Sequence, residues 1–424
     1  MTDPRKLDVY LRDQFVGLLE QDAEANLTFT YDERYLATPG ACIISVSMPL
    51  TAASYTNATT KPFFSGLLPD ESARVRLANA LGVSDSNPFG LLEIIGGDCA
   101  GALELHPHNG KVERQNSDDE VLDEAQLANL LHELRGDPLL GSRDDVRLSL
   151  AGVQDKIAVN VSGKNIVLVK NGEPTTHILK PAIQGLDGTA ENEAFCMTLA
   201  SRVGLNAPHA QCFKAKDTAY VLVARFDRSN GDNDVVNRLH QEDFCQALSI
   251  PPELKYEEEG GPGIEKSINL IQRVANQPAA DRLAFLRMQI FHFLVGNADA
   301  HAKNVALLHS LEPSAPTLAP LYDVVCTAAY PALTKNIAMR VGGRNVPDTI
   351  RLKHWLTLVP NTRASQQLLA KELKHLSNIV VNEAEWLLRD SAHLGFDHPV
   401  LRSIVKVVKA RSTQILSEVD NVTG

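Results

Sequence analysis

Asp299 and Asn304 stand five positions apart in Gly296-Asn297-Ala298-Asp299-Ala300-His301-Ala302-Lys303-Asn304. Kinase catalytic loops use this spacing: the carboxylate accepts the acceptor hydroxyl's proton, and the amide oxygen holds a Mg²⁺ on the phosphates. A polar turn uses the same residue types, and short motifs recur by chance, so the pair needs company. Asp323, in Leu321-Tyr322-Asp323-Val324-Val325, is an acid among apolar neighbours, costly to bury unless paired. It is a candidate second Mg²⁺ ligand, or else an exposed strand-end residue. Lys180 ends the strand-like His177-Ile178-Leu179-Lys180, where it could grip α- and β-phosphates or simply be solvated. Glu191 and Glu193, on the helix that follows, are both candidates to orient it.

Two further segments complete the series. Ser149-Leu150-Ala151-Gly152-Val153-Gln154-Asp155-Lys156 holds one glycine and could cradle phosphate on backbone N–H groups, or be an ordinary loop. Arg225-Phe226-Asp227-Arg228 falls where strands give way to helices; an adenine ring could pair there with the backbone of Ala224 to Phe226. Each signal is weak alone. Their order (glycine loop, strand lysine, helix glutamate, hinge, D-x-x-x-x-N, aspartate) is hard to obtain by accident. Other chemistries fare worse. His292 and His301 are nine apart, with no H-x-x-x-H pair on a helix face, and no G-x-S-x-G elbow occurs. Gly260-Gly261-Pro262-Gly263 lacks the flanks of a phosphate loop and reads as a structural turn.

These residues need elements to hold them. Residues 1–106 read as a mixed β and α module, with strands at Leu27–Tyr31 and Cys42–Met48 and a helix over Ser72–Leu81 ended by Gly82. A polar stretch, Glu113–Glu120, suits an exposed connector. Leu127, Leu130, Leu131 and Leu134 mark one helix face, stopped at Asp137-Pro138. A hairpin is expected around Ser162-Gly163-Lys164-Asn165, a helix over Glu191–Val203, and an apolar strand over Ala219–Ala224. Beyond residue 230 the pattern is helical, with a stripe of Leu283, Leu286, Ile290, Phe293 and Leu294. Later helices are expected over Thr362–Val381, Glu383–Leu394 and Leu401–Val419. The expected fold is α+β and two-lobed: a module over 1–106, a small lobe over 107–228, and an all-helical large lobe over 229–424.

The 424 residues suffice for two or three domains. Hydrophobic residues at 44% and charged residues at 22% argue against long disorder. With 41 basic and 52 acidic residues the net charge is −11, so bulk charge does not drive the chain to nucleic acid or an anionic membrane. Six scattered cysteines form no C-x-x-C pair and fit a reducing compartment. Neither a signal-peptide core nor a membrane-length apolar run is visible, which predicts a soluble, cytoplasmic protein.

The chain resembles the HipA family of toxin kinases along nearly its whole length. The resemblance rests on Phe63-Phe64-Ser65-Gly66-Leu67-Leu68-Pro69-Asp70, Ser149 to Lys156, Thr176-His177-Ile178-Leu179-Lys180, Gln241-Glu242-Asp243, Lys255-Tyr256-Glu257 through Ile264, and Asp299 to Asn304. It implies that Asp299 is the catalytic base, and that Asn304 and Asp323 bind Mg²⁺. ATP would be met by Ala151, Gly152, Val153, Gln154, Asp155, Lys156, Lys180, Ala224, Arg225, Phe226 and Asp227. On the other lobe His301, Ala302, Lys303, Asn304, Tyr322 and Asp323 would complete that site. Ser149 would be the autophosphorylated, self-inactivating serine. Implied partners are a HipB-like helix-turn-helix antitoxin, operator DNA mainly through it, and a protein substrate, the glutamyl aminoacyl-tRNA synthetase above others. Phosphorylating that substrate would halt translation and induce dormancy (persistence), and with its antitoxin the chain would repress its own operon. Arg344, Arg351 and Lys353 are present, but no lysine cluster is. A small-molecule or lipid kinase and a non-catalytic corepressor are the competing classes; the presence of Lys180, Asp299, Asn304 and Asp323 argues against the latter.

Overall fold

The computed structural model describes residues 4–110, 119–134, 154–169, 174–231, 236–311 and 314–423. Ser149, Ala151, Gly152, Val153, Asp137-Pro138 and most of the polar stretch 113–120 lie outside the described residues.

The N-terminal sheet is antiparallel: β1 (Arg5–Leu11), β2 (Gln14–Gln21), β3 (Leu27–Tyr31) and β4 (Leu103–Pro107), in the order β3-β2-β1-β4. Alternation puts Leu7, Val9 and Leu11 of β1 on the buried face. Four helices pack with it: α1 (Glu33–Leu36), α2 (Asn57–Gly66), α3 (Glu71–Leu81) and α4 (Pro88–Ile95). Gly82, at φ +66, ends α3 as its sequence position predicts. The strand expected over Cys42–Met48 is not formed; a tight turn with one bridge, Ser45 to Met48, replaces it. Side chains satisfy its backbone instead of a ladder. The Tyr31 hydroxyl donates to Met48 O (2.8 Å) and accepts from Ile44 N–H (3.0 Å), and Glu242 accepts from Val46 N–H (2.9 Å).

The small lobe is a six-stranded antiparallel sheet. Its elements are β5 (Glu120–Leu122), α5 (Glu124–Leu134), β6 (Ile157–Ser162), β7 (Asn165–Leu168), β8 (His177–Pro181), α6 (Thr189–Arg202), β9 (Ala210–Ala215) and β10 (Thr218–Ala224), with strand order β5-β7-β6-β8-β10-β9. Ser162 pairs with Asn165 across the expected two-residue turn. The leucine face of α5 packs on Ile157, Val159, Leu179 and Leu222, while α6 contacts β9 and β10 from the larger core.

A ribbon of β11 (Arg228–Asn230) and β12 (Val236–Arg238) leads into the large lobe. Then come β13 (His240–Asp243), α7 (Phe244–Ala247), α8 (Ile264–Val274), α9 (Pro278–Val295), β14 (Ala306–His309), β15 (Thr317–Leu318), α10 (Leu352–Leu356), α11 (Arg363–Asp390) and α12 (Val400–Thr423). The lobe is helical, with two additions to the all-helical expectation over 229–424: the β11-β12 ribbon and the small sheet β13-β14-β15. β13 reads His-Gln-Glu-Asp, with no apolar alternation, because its buried side chains are polar. Glu242, fully buried, accepts from Ser45 Oγ (2.6 Å) and sits 2.9 Å from His309 Nε2. The two helices expected on either side of Asn382 are one, α11. Leu376, Val380, Ala384 and Leu387 keep a single buried stripe through the junction, facing α9 and α12.

Candidate active site

α9 buries Phe285, Ile290, Phe291 and Leu294, so its C-terminus is a fixed platform, closed by Gly296 in the left-handed conformation (φ +73). Asn297 Oδ1 accepts the Asp299 N–H (2.9 Å), and Thr327 Oγ1 accepts the Ala298 N–H (2.8 Å). Asn304 Nδ2 donates to Asp299 O (2.9 Å), joining the two ends of the motif and leaving the amide oxygen for a cation. Asp299 keeps 52% of its side chain open to the cleft. The protein around it still displaces bulk water and pushes its carboxyl up to about 6, against the hydrogen bond donated by the Tyr256 hydroxyl.

Lys180, on β8, reaches two carboxylates: Glu193 Oε1 on α6 at 2.7 Å and Asp323 Oδ1 at 2.6 Å. This settles the choice between the two glutamates. Positions two apart on a helix do not face the same way, and Glu191 is buried with Oε2 unpartnered among the described residues. Burial alone would lower the Lys180 ammonium, but Asp323 and Glu193 outweigh it and hold it well above its usual value. Burial likewise works to raise Asp323, and Lys180 and Lys156 overcome it, holding that carboxyl well below the ordinary range. Asp323 has left-handed backbone (φ +57), uncommon for a non-glycine and a frequent mark of functional sites. Lys156 faces the same cavity; burial, then repulsion from Lys180, brings it down to about 8. Gln154 Nε2 donates to Pro181 O (3.0 Å), and Asp155 pairs with Arg76 of α3.

Between the lobes lies a narrow cavity of about 130 Å³, lined by Ile178, Val223, Phe226, Tyr322, Lys156 and Lys180 among others. The Phe226 and Tyr322 rings stand 5.1 Å apart at 32°, and the Tyr322 hydroxyl donates to Lys303 O (2.7 Å). The cavity shares Asp70, Asn304 and Asp323 with an outer cleft of about 740 Å³ that holds Asp299. At the hinge Ala224 N–H donates to His209 O (2.8 Å) and Arg225 N–H to Thr176 O (2.9 Å). The Arg225 side chain makes a two-pronged contact with Asp227 (2.9 and 2.7 Å), and Asp227 also accepts from Gly101 N–H (2.8 Å). Both side chains are thus committed to each other, Arg225 also to Thr175 Oγ1 (3.0 Å) and Asp227 also to the N-terminal module. Their backbone is partly committed as well, the Arg225 N–H to Thr176 and the Asp227 carbonyl to Leu239 N–H (2.9 Å), which leaves Phe226 between them as the hinge residue that lines the cavity with backbone to offer a nucleotide.

The remaining loop residues are buried. Ala302 N–H donates to Lys255 O (3.3 Å). The His301 ring meets Tyr256 edge-on at 5.0 Å; burial, then Lys255, lowers it to about 3, so it is neutral at physiological pH. Lys303 does not face the cleft as an isolated cation: its ammonium is bound by Asp70 (3.0 Å), Gly66 O (3.2 Å) and Asp243 (3.7 Å). Tyr256 is a site residue that motif spacing gave no role. Its placement depends on the glycine turn behind it, where Gly260 is left-handed (φ +102) and a Cβ on Gly261 would lie 2.1 Å from Leu254 O.

Among the described residues no group of three or more His, Cys, Asp or Glu is placed to hold a metal by itself. Asn304 and Asp323 supply hard oxygen ligands, which fits Mg²⁺, an ion that takes one or two protein oxygens and completes its shell with phosphate and water. No helix among the described residues is long and apolar enough to cross a membrane.

A strand lysine paired with a helix glutamate, a D-x-x-x-x-N loop on a helical lobe and an aspartate beyond it define a protein-kinase-like fold and site. Residues 7–106 match the HipA N-terminal domain, and residues 148–385 match the HipA-like C-terminal domain. The chain is 38% identical to "Putative kinase Y4mE" of Sinorhizobium fredii over 96% of this chain and 98% of that protein. It is 30% identical to the serine/threonine-protein kinase toxin HipA of Shewanella oneidensis, over 81% of this chain and 80% of that one. A solved complex of Shewanella oneidensis HipA, HipB and operator DNA contains a chain that superimposes with a TM-score of 0.83 at 24% identity, covering 98% of this chain and 99% of that one. This chain belongs to the HipA family of serine/threonine kinases.

Proposed function

We propose that this chain transfers the γ-phosphoryl group of ATP to a serine or threonine of a protein acceptor. The observation that carries the proposal is the Lys180 ammonium joined to Asp323 across the lobes, at the cleft that holds Asp299 and Asn304. Asp299 is the base for the acceptor hydroxyl; a carboxyl near 6 is mostly ionised at neutral pH yet still basic enough to take a proton. Lys180, Lys156 and the loop from Ala151 to Lys156 bind phosphate. Phe226 and Tyr322, packed against each other, form one wall of the adenine pocket, with the Ala224 to Phe226 backbone and Asp227 at its edge, and His301, Ala302 and Lys303 form the catalytic-loop side of the site. Mg²⁺ on Asn304 and Asp323 supplies neutralisation of the phosphate charge. Residues 1–106, 107–228 and 229–424 serve as module, small lobe and large lobe.

The family further supports a toxin role: a cytoplasmic kinase held by a HipB-like antitoxin, which brings it to operator DNA as corepressor. Its acceptor would be an aminoacyl-tRNA synthetase, the glutamyl enzyme first, with translation arrest and persistence as the outcome and Ser149 autophosphorylation as the off-switch. The test is a labelled-ATP assay on whole cell lysate with wild type and Asp299→Asn. A labelled protein band with wild type alone is expected. Label entering only the small-molecule fraction, or equal bands with both, would overturn the reading.

A further inference from the structure

Asp70 belongs to the N-terminal module, yet it lines both the inner cavity and the outer cleft. It occupies the N-cap position of α3, where an aspartate ordinarily accepts from the helix's own N–H groups. Here it caps nothing. Its carboxylate is turned to Lys303 Nζ (3.0 Å) and to Lys255 Nζ (3.6 Å). The next residue, Glu71, has a left-handed backbone (φ +45), uncommon for a non-glycine residue, and its own carboxylate also reaches Lys255 (2.8 Å). A forgone cap and a strained residue side by side are the marks of a side chain held for another purpose.

That purpose is legible from what the two lysines adjoin. Lys303 directly precedes Asn304. Lys255 accepts Ala302 N–H on its carbonyl, and its neighbour Tyr256 donates to Asp299. Asp70 therefore grips both sides of the segment between the proposed base and the proposed metal ligand. We infer that Asp70 is a positioning residue of the phosphoryl-transfer site: the N-terminal module sets the catalytic loop through the Asp70–Lys303 and Asp70–Lys255 contacts. This rests on the kinase reading above. Neutralising Asp70 leaves two buried ammonium groups without their shared counter-charge, and the loop that carries Asn304 and Asp299 shifts to relieve them. Misplacement of reacting groups by about 1 Å can cost roughly a hundredfold in rate.

The experiment compares full-length wild type, Asp70→Asn and Leu19→Ala; Leu19 lies in the core of the N-terminal sheet and matches a loss of stability without touching the loop. Expected for Asp70→Asn is a fall in kcat of about ten- to a hundredfold, and a rise in the Mg²⁺ concentration needed for half-maximal transfer. Leu19→Ala should lower the melting temperature while leaving both unchanged. Amide hydrogen exchange across residues 297–305, read without substrate, should speed up in Asp70→Asn and not in Leu19→Ala; this arm decides the inference even if no transfer is found, an outcome that would fail the kinase reading alone. Unchanged exchange in Asp70→Asn, or the same Mg²⁺ shift in Leu19→Ala, would overturn it.

Discussion

The Lys180 ammonium stands 2.6 Å from the carboxylate of Asp323, 143 positions later in the chain, and so joins the small lobe's sheet to the large lobe. Asp323→Ala keeps the Lys180–Glu193 pair but removes the proposed metal ligand. Calorimetry should show Mg-ATP affinity reduced at least about tenfold, or about 1.4 kcal/mol, with a much smaller effect on metal-free ATP. Undiminished Mg-ATP affinity would argue against a metal role for Asp323.

In the proposed mechanism Asp299 meets the acceptor rather than the nucleotide. Asp299→Asn should therefore bind ATP normally while transfer falls by roughly 10²–10⁴. In wild type kcat/KM should level off above pH 6 and drop about tenfold per unit below it, because the base works only when deprotonated and its carboxyl lies at about 6. A flat profile between pH 5 and pH 8 would remove Asp299 from that role.

Lys156, at about 8, is partly neutral in mildly alkaline solution. Phosphate anions beside it favour its charged form. Nucleotide binding at pH 8 should thus take up protons, seen as a dependence of the calorimetric enthalpy on buffer ionisation heat, and Lys156→Met should abolish that dependence.

Arg225 and Asp227 form a buried pair. Burial would raise the Asp227 carboxyl, but Arg225 and Arg228 outweigh it and hold it well below the ordinary carboxylate range. Its stabilising contribution is present above that range and is lost as pH falls through the folded value. Arg225→Ala should cost about 3–5 kcal/mol at neutral pH by leaving Asp227 short of a partner, with a smaller deficit in acid. Urea denaturation at pH 7 and at a pH below about 3, inside the window where the contribution is being lost, checks both parts.

The sequence carried the outline of this site because catalytic-loop spacing, strand lysine and helix glutamate are local signals in fixed order. It left Glu191 and Glu193 undecided, since helical phase relative to a strand is set by packing. Tyr256 and Asp70 entered only as parts of family-like segments, without a role. Their function depends on contacts with residues 43 to more than 200 positions away. The signal that could have raised Asp70 is an aspartate before a helix whose first turn it fails to cap, which is visible only in coordinates. The β13 strand was illegible for a related reason: its buried face is polar, and hydrophobic alternation is the usual clue. Cys42–Met48 misled in the other direction, because β-branched residues also suit a turn whose backbone is satisfied by Tyr31 and Glu242.

The Lys303 contacts have a consequence for the order in which the molecule comes into being. Gly66 O and Lys303 lie 237 residues apart. On the ribosome Gly66 and Asp70 emerge first, and the loop residue that docks on them is synthesised much later. Until then the nascent chain holds only the Gly66 and Asp70 side of the Lys303 contacts, and the proposed base and proposed metal ligand on either side of Lys303 do not yet exist. Competence for phosphoryl transfer is therefore a late property of synthesis, reached only once Lys303 can dock on Gly66 and Asp70.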